Sequence, residues 1–168
     1  IVKGSLEYLT KVKHFGAVHD FFYKTPKKTL NNELKDPEAF NFHYNYHYNL
    51  NLPSFNVGVF AFNTNIIEPK TFENLFTLFY DNQKSFKHPE QGVLNIYFYK
   101  NWEAIPYVFN TYIEFRELKI PFYIKTNVNH FILNLKPKLW EEGNPYYNEW
   151  KYNLKIADNI DLKNIKEP

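Results

Sequence analysis

The sequence predicts an α/β domain in which helices pack on a sheet. Three features point to this fold class: the apolar strand segment FNVGVFAFNT, Phe55 to Thr64; two segments of helical periodicity that follow it; and short strand candidates before and after them. Strands that alternate with helices favour a layered α/β arrangement. The 168 residues fit one domain, 1–168, and suffice to bury a core.

Upstream of that strand, the chain combines a short strand candidate with a long polar segment. HFGAV, His14 to Val18, is the strand candidate, and Asp20 follows it where side chains would reach a loop. Residues 24–54 are rich in Pro, Lys, Asn and Tyr and lack helical periodicity, which predicts a polar-aromatic loop excursion. Long loops of this kind often carry function.

Two histidines in this excursion, His43 and His47, stand four residues apart. On a helix that spacing could bind a metal, but the alternating Asn and Tyr residues favour an extended or turning chain. Two other roles stay open for residues 42–48: stacking of exposed Tyr and His side chains on a sugar or a partner, and plain packing of the loop.

The strand that begins at Phe55 carries a polar residue near its start. Alternation predicts that both of its faces are buried, because each carries small or apolar residues. These residues are Val57, Val59 and Ala61 on one face and Gly58, Phe60 and Phe62 on the other. A buried amide at Asn56 must find hydrogen-bond partners, and Gly58 lets another group approach the backbone closely. Asn56 is therefore either a turn residue or the mark of a ligand site at the mouth of the strand.

Two helices are predicted after this strand. The first opens at 68–71, and its apolar residues have the i, i+3, i+4, i+7 spacing of a helix that packs on a sheet. They are Phe72, Leu75, Phe76 and Phe79. The second begins near Pro89, which suits a helix start, and its broad apolar face runs to Tyr99. The remaining candidates are strands at 107–109, 122–125 and 130–132 and a last helix at 146–158, marked by Tyr147, Trp150 and Leu154.

Composition excludes several classes of protein. The net charge of +2 comes with dispersed lysines, so the basic stripe needed to bind nucleic acid is missing. The absence of Cys removes disulfides, thiolate nucleophiles and Cys-based metal sites. No membrane span or signal peptide is found, which favours a cytoplasmic protein. The chain opens on Ile1 and contains no Met, which indicates a mature product or an excerpt of a longer chain.

Three short motifs occur in one order: FNVG at Phe55 to Gly58, EQGVLN at Glu90 to Asn95, and HFILNLKP at His130 to Pro137. Together they resemble glycosyltransferase family 8, the glycogenin-like retaining glycosyltransferases, whose motifs run FN[SA]G, DQ[GD][IV]LN and HFxGxxKPW. FGAVHDF is similar to the family's strand that ends in Ala-Ala-x-x-Asp. The segment YVFN, Tyr107 to Asn110, is similar to a Tyr-Asn that precedes the last motif.

The resemblance implies a GT-A-like mixed sheet flanked by helices, of which this chain covers about the C-terminal half. IVKGSLEYL at the start of the chain is similar to the segment just beyond the family's acidic DxD motif, and no D-x-D occurs in this sequence. The resemblance therefore places an acidic pair and the nucleotide-binding half upstream of Ile1.

The resemblance further implies retaining transfer of a hexose from a UDP-sugar to a glycan or protein acceptor, with Mn²⁺ or Mg²⁺ as cofactor. The sequence leaves open whether the protein forms a homodimer. By the same resemblance, His130 is the metal ligand, Gln91 and Glu90 lie at the reacting centre, and Asp20 lies on the acceptor side. The donor-binding residues are Asn56, Gly58 and Lys136.

Four departures from the family motifs favour an alternative. Val57 replaces a small Ser or Ala, Glu90 replaces Asp, and Leu133 stands where the family has a Gly that lies close to phosphate. The KPW ending is also lengthened, to Lys136–Trp140. Leu133, in place of the family's Gly, would crowd a contact between backbone and phosphate. The alternative is a catalytically impaired relative that binds a sugar or a partner through the aromatic loop at 42–48.

Overall fold

The computed structural model describes residues 2–20, 27–43, 47–112, 126–130, 138, 140–144 and 146–159. The strands are β1 Phe15–His19, β2 Phe55–Phe62, β3 Trp102–Ala104, β4 Thr111–Tyr112 and β5 Asn129–His130. The α-helices are α1 Leu30–Glu33, α2 Pro37–His43, α3 Thr71–Asn82, α4 Pro89–Tyr97 and α5 Tyr147–Asp158. Short 3₁₀ helices span Glu7–Lys11, Thr64–Ile66 and Tyr107–Phe109.

The central sheet of the described residues is mixed, with the strand order β2-β1-β3. β1 pairs antiparallel with β2, where His19 lies opposite Phe55, and parallel with β3, where Phe15 lies opposite Trp102. β4 and β5 form a short parallel pair. Helix α4 contacts both β2 and α3. The predicted α/β class, a mixed sheet flanked by helices, is confirmed.

β2 bulges away from β1 near its start. Ala17 lies opposite Phe60, but the next residue, Val18, lies opposite Asn56, so residues 57–59 have no partner in β1. Bulges of this kind re-aim side chains and are common beside active sites. Gly58 lies in the middle of this bulge.

β1 is the most buried strand of the sheet. Phe15, Ala17 and Val18 are each at most 1% exposed, and Phe15 stacks on Phe98 of the loop after α4, with ring centroids 4.1 Å apart. A second core cluster joins the helices, where Leu34, Phe86 and Ile96 pack with other buried side chains. Burial of such large apolar side chains is the main favourable term in folding.

Asn95 fixes helix α4 against the start of β2. Its Oδ1 accepts a hydrogen bond from the backbone N–H of Phe55 at 2.9 Å, and its Nδ2 donates to the carbonyl of Phe55 at 2.9 Å. Nδ2 also donates to the carbonyl of Gln91 at 2.9 Å. The side chain thus satisfies buried backbone groups of two elements at once, which few polar residues can do.

The prediction that both faces of β2 are buried is wrong. Phe60 is 41% exposed and Phe62 is 46% exposed, whereas residues on the other face are half-buried. β2 lies at the edge of the described sheet, where Phe60 stacks on Phe15 of β1 with one side of its ring and the rest of the ring is accessible to solvent.

The prediction of an excursion without helices at 24–54 is also wrong, because two short helices form there. Thr29 and Asn32 make a capping box at the start of α1. Asp36 accepts a hydrogen bond from the N–H of Ala39 at 3.0 Å at the start of α2, where Pro37 is the first helical residue. Such local caps favour short helices that have no long apolar period. The helix runs through His43, so the backbone there is not extended as predicted.

Two further expectations need correction. In α3, Leu75 and Phe79 pack against the helical core cluster and not on the sheet, while Phe72 is 79% exposed. Residues 107–109 form a 3₁₀ helix and not a strand, because Pro106 starts a tight turn in which the N–H of Phe109 bonds the carbonyl of Pro106 at 3.1 Å. The candidates at 122–125 and 131–132 lie outside the described residues.

We expect Asn95→Ala to lower the free energy of unfolding by about 3 kcal/mol, because it leaves the buried N–H and C=O of Phe55 without partners. Urea denaturation measures the change. Asn74→Ala, at an exposed position of α3, is the matched control and should change stability by less than about 0.5 kcal/mol. Equal effects of the two substitutions would contradict the proposed role of Asn95.

Candidate active site

A buried carboxylate, that of Asp20, lies directly after β1. The residue is 2% exposed, and its backbone N–H donates to the carbonyl of Ser54 at 2.9 Å. Three side chains donate to the carboxylate: Gln91 Nε2 at 3.1 Å, Tyr112 OH at 3.2 Å and Lys28 Nζ at 3.0 Å. A buried carboxylate needs such donors, since its charge is costly to remove from water.

The carboxylate fixes the orientation of a chain of amides. Because it can only accept, Gln91 must present Nε2 to it, and Gln91 Oε1 then accepts from Asn56 Nδ2 at 3.0 Å. Asn56 Oδ1 in turn accepts from Asn110 Nδ2 at 2.8 Å and from the N–H of Gly58 at 2.8 Å. We call the six residues of this cluster the Asp20 network: Asp20, Lys28, Asn56, Gln91, Asn110 and Tyr112.

The fold brings the network together from five parts of the chain, of which Asp20 follows β1 and Lys28 precedes α1. Asn56 lies opposite Val18 in the β1–β2 ladder, one residue before His19. Gln91 lies in the first turn of α4, which Asn95 ties to β2. Asn110 immediately precedes β4, and Tyr112 is the last residue of β4. The network therefore depends on the relative placement of the sheet and α4.

His130 of β5 lies over Gly58. A Cβ atom at Gly58 would stand 2.1 Å from Cε1 and 2.2 Å from Nδ1 of the imidazole, so only glycine leaves room for this ring. The ring also makes an edge contact with Tyr112, with centroids 5.6 Å apart. Burial lowers the pKa of His130, and Nδ1 is buried with no hydrogen-bond partner in the described part of the chain. The site thus favours a neutral imidazole with an unused ring nitrogen.

The family model described as glycosyl transferase family 8 matches residues 1–142 of the 168-residue chain. The chain belongs to this family. No curated protein and no solved structure matches the sequence. Membership supports a glycosyltransferase and implies a nucleotide-sugar donor and an acceptor, and the mixed sheet flanked by helices is consistent with a GT-A-like domain.

The structure brings together five of the residues that the sequence singled out. Asn56 and Gln91 share a hydrogen bond, and Asp20, Gly58 and His130 adjoin them. Their roles in a family 8 glycosyltransferase stay predictions.

Three other positions that the sequence singled out are not among these five. Glu90 is exposed in the first turn of α4. Lys136 and Leu133 lie outside the described residues.

Sequence reasoning missed three members of the network, namely Lys28, Asn110 and Tyr112. Asn110 belongs to a segment that resembles the family, but nothing in the residues alone assigns it a contact. Lys28 and Tyr112 are one each of 20 basic residues and 14 tyrosines, and neither lies in a motif. Their signal is purely spatial, because both reach Asp20 from distant positions in the sequence.

Family 8 enzymes generally use a divalent cation, which several side chains would have to hold. The described residues contain no group of three or more His, Asp or Glu side chains that could hold a metal. His130 fits as a single ligand, since its Nδ1 is buried and unused and its imidazole is neutral. The residues described therefore offer one candidate ligand.

Two other features of the described residues do not involve the Asp20 network. A cavity of about 670 Å³, lined in part by Lys13, His14, Lys100 and Trp102, lies at the opposite end of β1 from Asp20 and does not include the network. None of the helices in the described part of this family 8 protein has the length and hydropathy to cross a bilayer.

We expect Gly58→Ala to destabilise the protein by about 2 kcal/mol, because the added methyl group would overlap the His130 ring. Thermal or chemical denaturation measures this. In a His130→Ala background the same substitution should cost clearly less, and the difference is the coupling between the two positions. If the cost is equal in both backgrounds, the ring does not lie over Gly58.

Proposed function

We propose that this protein transfers a hexose from a UDP-sugar to a glycan or protein acceptor, with retention of configuration and with a divalent cation. One observation carries the proposal: Asn56 and Gln91, from two separate family motifs 35 residues apart, share a hydrogen bond of 3.0 Å within one polar network at the end of β1. Ligands of α/β proteins bind at such ends of strands.

Asn56 is the amide best placed to meet the donor sugar. It is half-buried, and its Nδ2 donates to Gln91 with one hydrogen, while the second has no acceptor in the described part of the chain. That spare donor suits a sugar hydroxyl, and rigid amides favour selective hydroxyl recognition. Gln91, only 5% exposed, orients Asn56 through this hydrogen bond. In this proposal it also borders the reacting centre. Glu90, in the same turn, is exposed and would lie at the rim.

The leaving diphosphate carries the charge that the site has to stabilise. In this proposal His130 is one ligand of Mn²⁺ or Mg²⁺, and Lys136 contacts the donor phosphates. The bound ion would neutralise charge that develops on the leaving group. The buried, neutral imidazole of His130 supports its part of this assignment.

We assign no covalent nucleophile. The carboxylate of Asp20 is 2% exposed and accepts three hydrogen bonds, so it is held for orientation and is poorly placed to attack an anomeric carbon. The resemblance assigns Asp20 to the acceptor side of the site, and this role of Asp20 is a proposal.

We expect the complete protein, including the upstream half that the resemblance implies, to hydrolyse UDP-glucose or UDP-galactose slowly in the presence of Mn²⁺, and Gln91→Ala to lower kcat/KM by about 100-fold, since it removes the acceptor of Asn56 Nδ2. Release of UDP measures the rate. Gln83→Ala, at the end of α3, is the matched control and should leave it unchanged. If the wild type hydrolyses neither donor, the alternative is favoured, namely a catalytically impaired relative that binds a sugar or a partner.

We expect UDP with Mn²⁺ to raise the melting temperature of the wild type more than that of His130→Ala, because a lost ligand lowers affinity and so the stabilisation by mass action. His14→Ala, an exposed histidine at the other end of β1, should respond as the wild type does. An equal rise in His130→Ala would remove His130 from the proposed metal site.

A further inference from the structure

A second buried carboxyl, that of Glu33, lies beside the Asp20 network. Glu33 is the last residue of α1 and is 2% exposed. Its Oε2 stands 3.3 Å from Nδ1 of His88, the residue that precedes α4. Gln91 follows His88 by three residues, which is about one helical turn. Glu33 therefore faces the turn that carries Gln91.

Backbone contacts hold Glu33 in this position. The N–H of Lys87 donates to the carbonyl of Glu33 at 2.8 Å, and the N–H of Lys35 donates to the carbonyl of Ser85 at 2.8 Å. Leu34 and Phe86 form an antiparallel bridge between these two bonds. The end of α1 is thus joined to the entry of α4 along three consecutive residues, and the backbone of Glu33 cannot move away from α4 without breaking these contacts.

The charged and titratable groups around Glu33 come from four elements: Asp20 after β1, Lys28 before α1, His88 before α4 and Tyr112 of β4. Burial, and then the charge of Asp20, raise the pKa of Glu33, while Lys28 and hydrogen bonding from Gln91 and His88 offset part of that rise. The Gln91 carboxamide, which donates to Asp20 at 3.1 Å, thus interacts with two carboxyl groups.

We propose that Glu33 is a positioning residue of the active site, which acts with Asp20 to hold the Gln91 carboxamide so that its Oε1 faces Asn56. Asp20 contacts Gln91 from the sheet, and Glu33 supports the same turn from α1. The contribution of Glu33 to turnover rests on the proposed function, whereas its contact with the first turn of α4 does not.

The sign of the pH effect follows from the direction of the shift. Glu33 takes up a proton more readily in the folded than in the unfolded chain, so its favourable contribution to stability is complete below about pH 4.3, the pKa of an unperturbed glutamate. That contribution is lost as the pH rises through the higher pKa of the folded state. Glu33→Gln keeps the shape and removes the titration. The melting temperature of Glu33→Gln relative to the wild type should therefore increase from pH 4 to pH 8.

The matched control is Glu38→Gln, an exposed position of α2, whose melting temperature relative to the wild type should not depend on pH in this way. If Glu33→Gln behaves like Glu38→Gln, Glu33 is not a buried acid of the network, and the proposal is overturned. This arm needs no activity and no substitution that removes the packing of the side chain.

Kinetics test the positioning role itself. In the UDP-sugar hydrolysis assay, at a temperature where the variants are folded, Glu33→Ala should lower kcat about tenfold with KM for the donor changed by less than about twofold. Glu33→Gln should restore kcat to within about threefold of the wild type at neutral pH. A loss of melting temperature with unchanged kcat would show a structural role only and overturn the proposal.

The side-chain amide resonances of Gln91 in a ¹⁵N-labelled sample separate this proposal from the proposed function. They should shift in Glu33→Gln and stay in place in Glu38→Gln. If the wild type hydrolyses no donor but the Gln91 resonances shift, the proposed function fails and Glu33 still positions Gln91. If hydrolysis occurs and the Gln91 resonances do not move, Glu33 is not a positioning residue.

Discussion

The buried carboxylate of Asp20 is the constraint on which the rest of the site depends. It is 2% exposed, so it must be surrounded by donors, and it receives one each from Lys28, Gln91 and Tyr112. Because it cannot donate, it removes the freedom of the Gln91 amide to flip, and the orientation passes on to Asn56 through a bond of 3.0 Å. The backbone N–H groups of Val57 and Gly58, which donate to Gln91 Oε1 at 3.3 Å and to Asn56 Oδ1 at 2.8 Å, favour the same orientation of the two amides.

The backbone geometry of β2 and the side chain of Asn95 place the residues that surround Asp20. The bulge in β2 turns residues 57–59 out of the ladder with β1, and this opens the space in which His130 covers Gly58. Asn95 fixes the position of α4 relative to β2 by hydrogen bonding to both the N–H and the C=O of Phe55. Placement of Gln91 is thereby set by a buried hydrogen-bond pair four residues further along the same helix.

Local signals in the sequence predicted a good part of this arrangement. The strand at Phe55 and the helices at Thr71 and Pro89 follow from period and Pro placement, and the motif residues Asn56 and Gln91 follow from the resemblance. The contacts of Lys28 and Tyr112 could not be predicted, because they link positions 8 and 92 residues away from Asp20. The helices in 24–54 escaped notice because caps, not apolar period, specify helices as short as α1 and α2.

The amide oxygens of Gln91 and Asn56 are already occupied without a ligand, and in the proposed function that decides how a donor sugar can engage this pair. Gln91 Oε1 accepts from both Asn56 Nδ2 and the N–H of Val57, and Asn56 Oδ1 accepts from two donors, so neither oxygen is open to a hydroxyl. The spare hydrogen of Asn56 Nδ2 is the remaining polar group of this pair at a half-buried position. A sugar that accepts from it gains a bond without breaking one, so the orientation set by Asp20 is retained on binding.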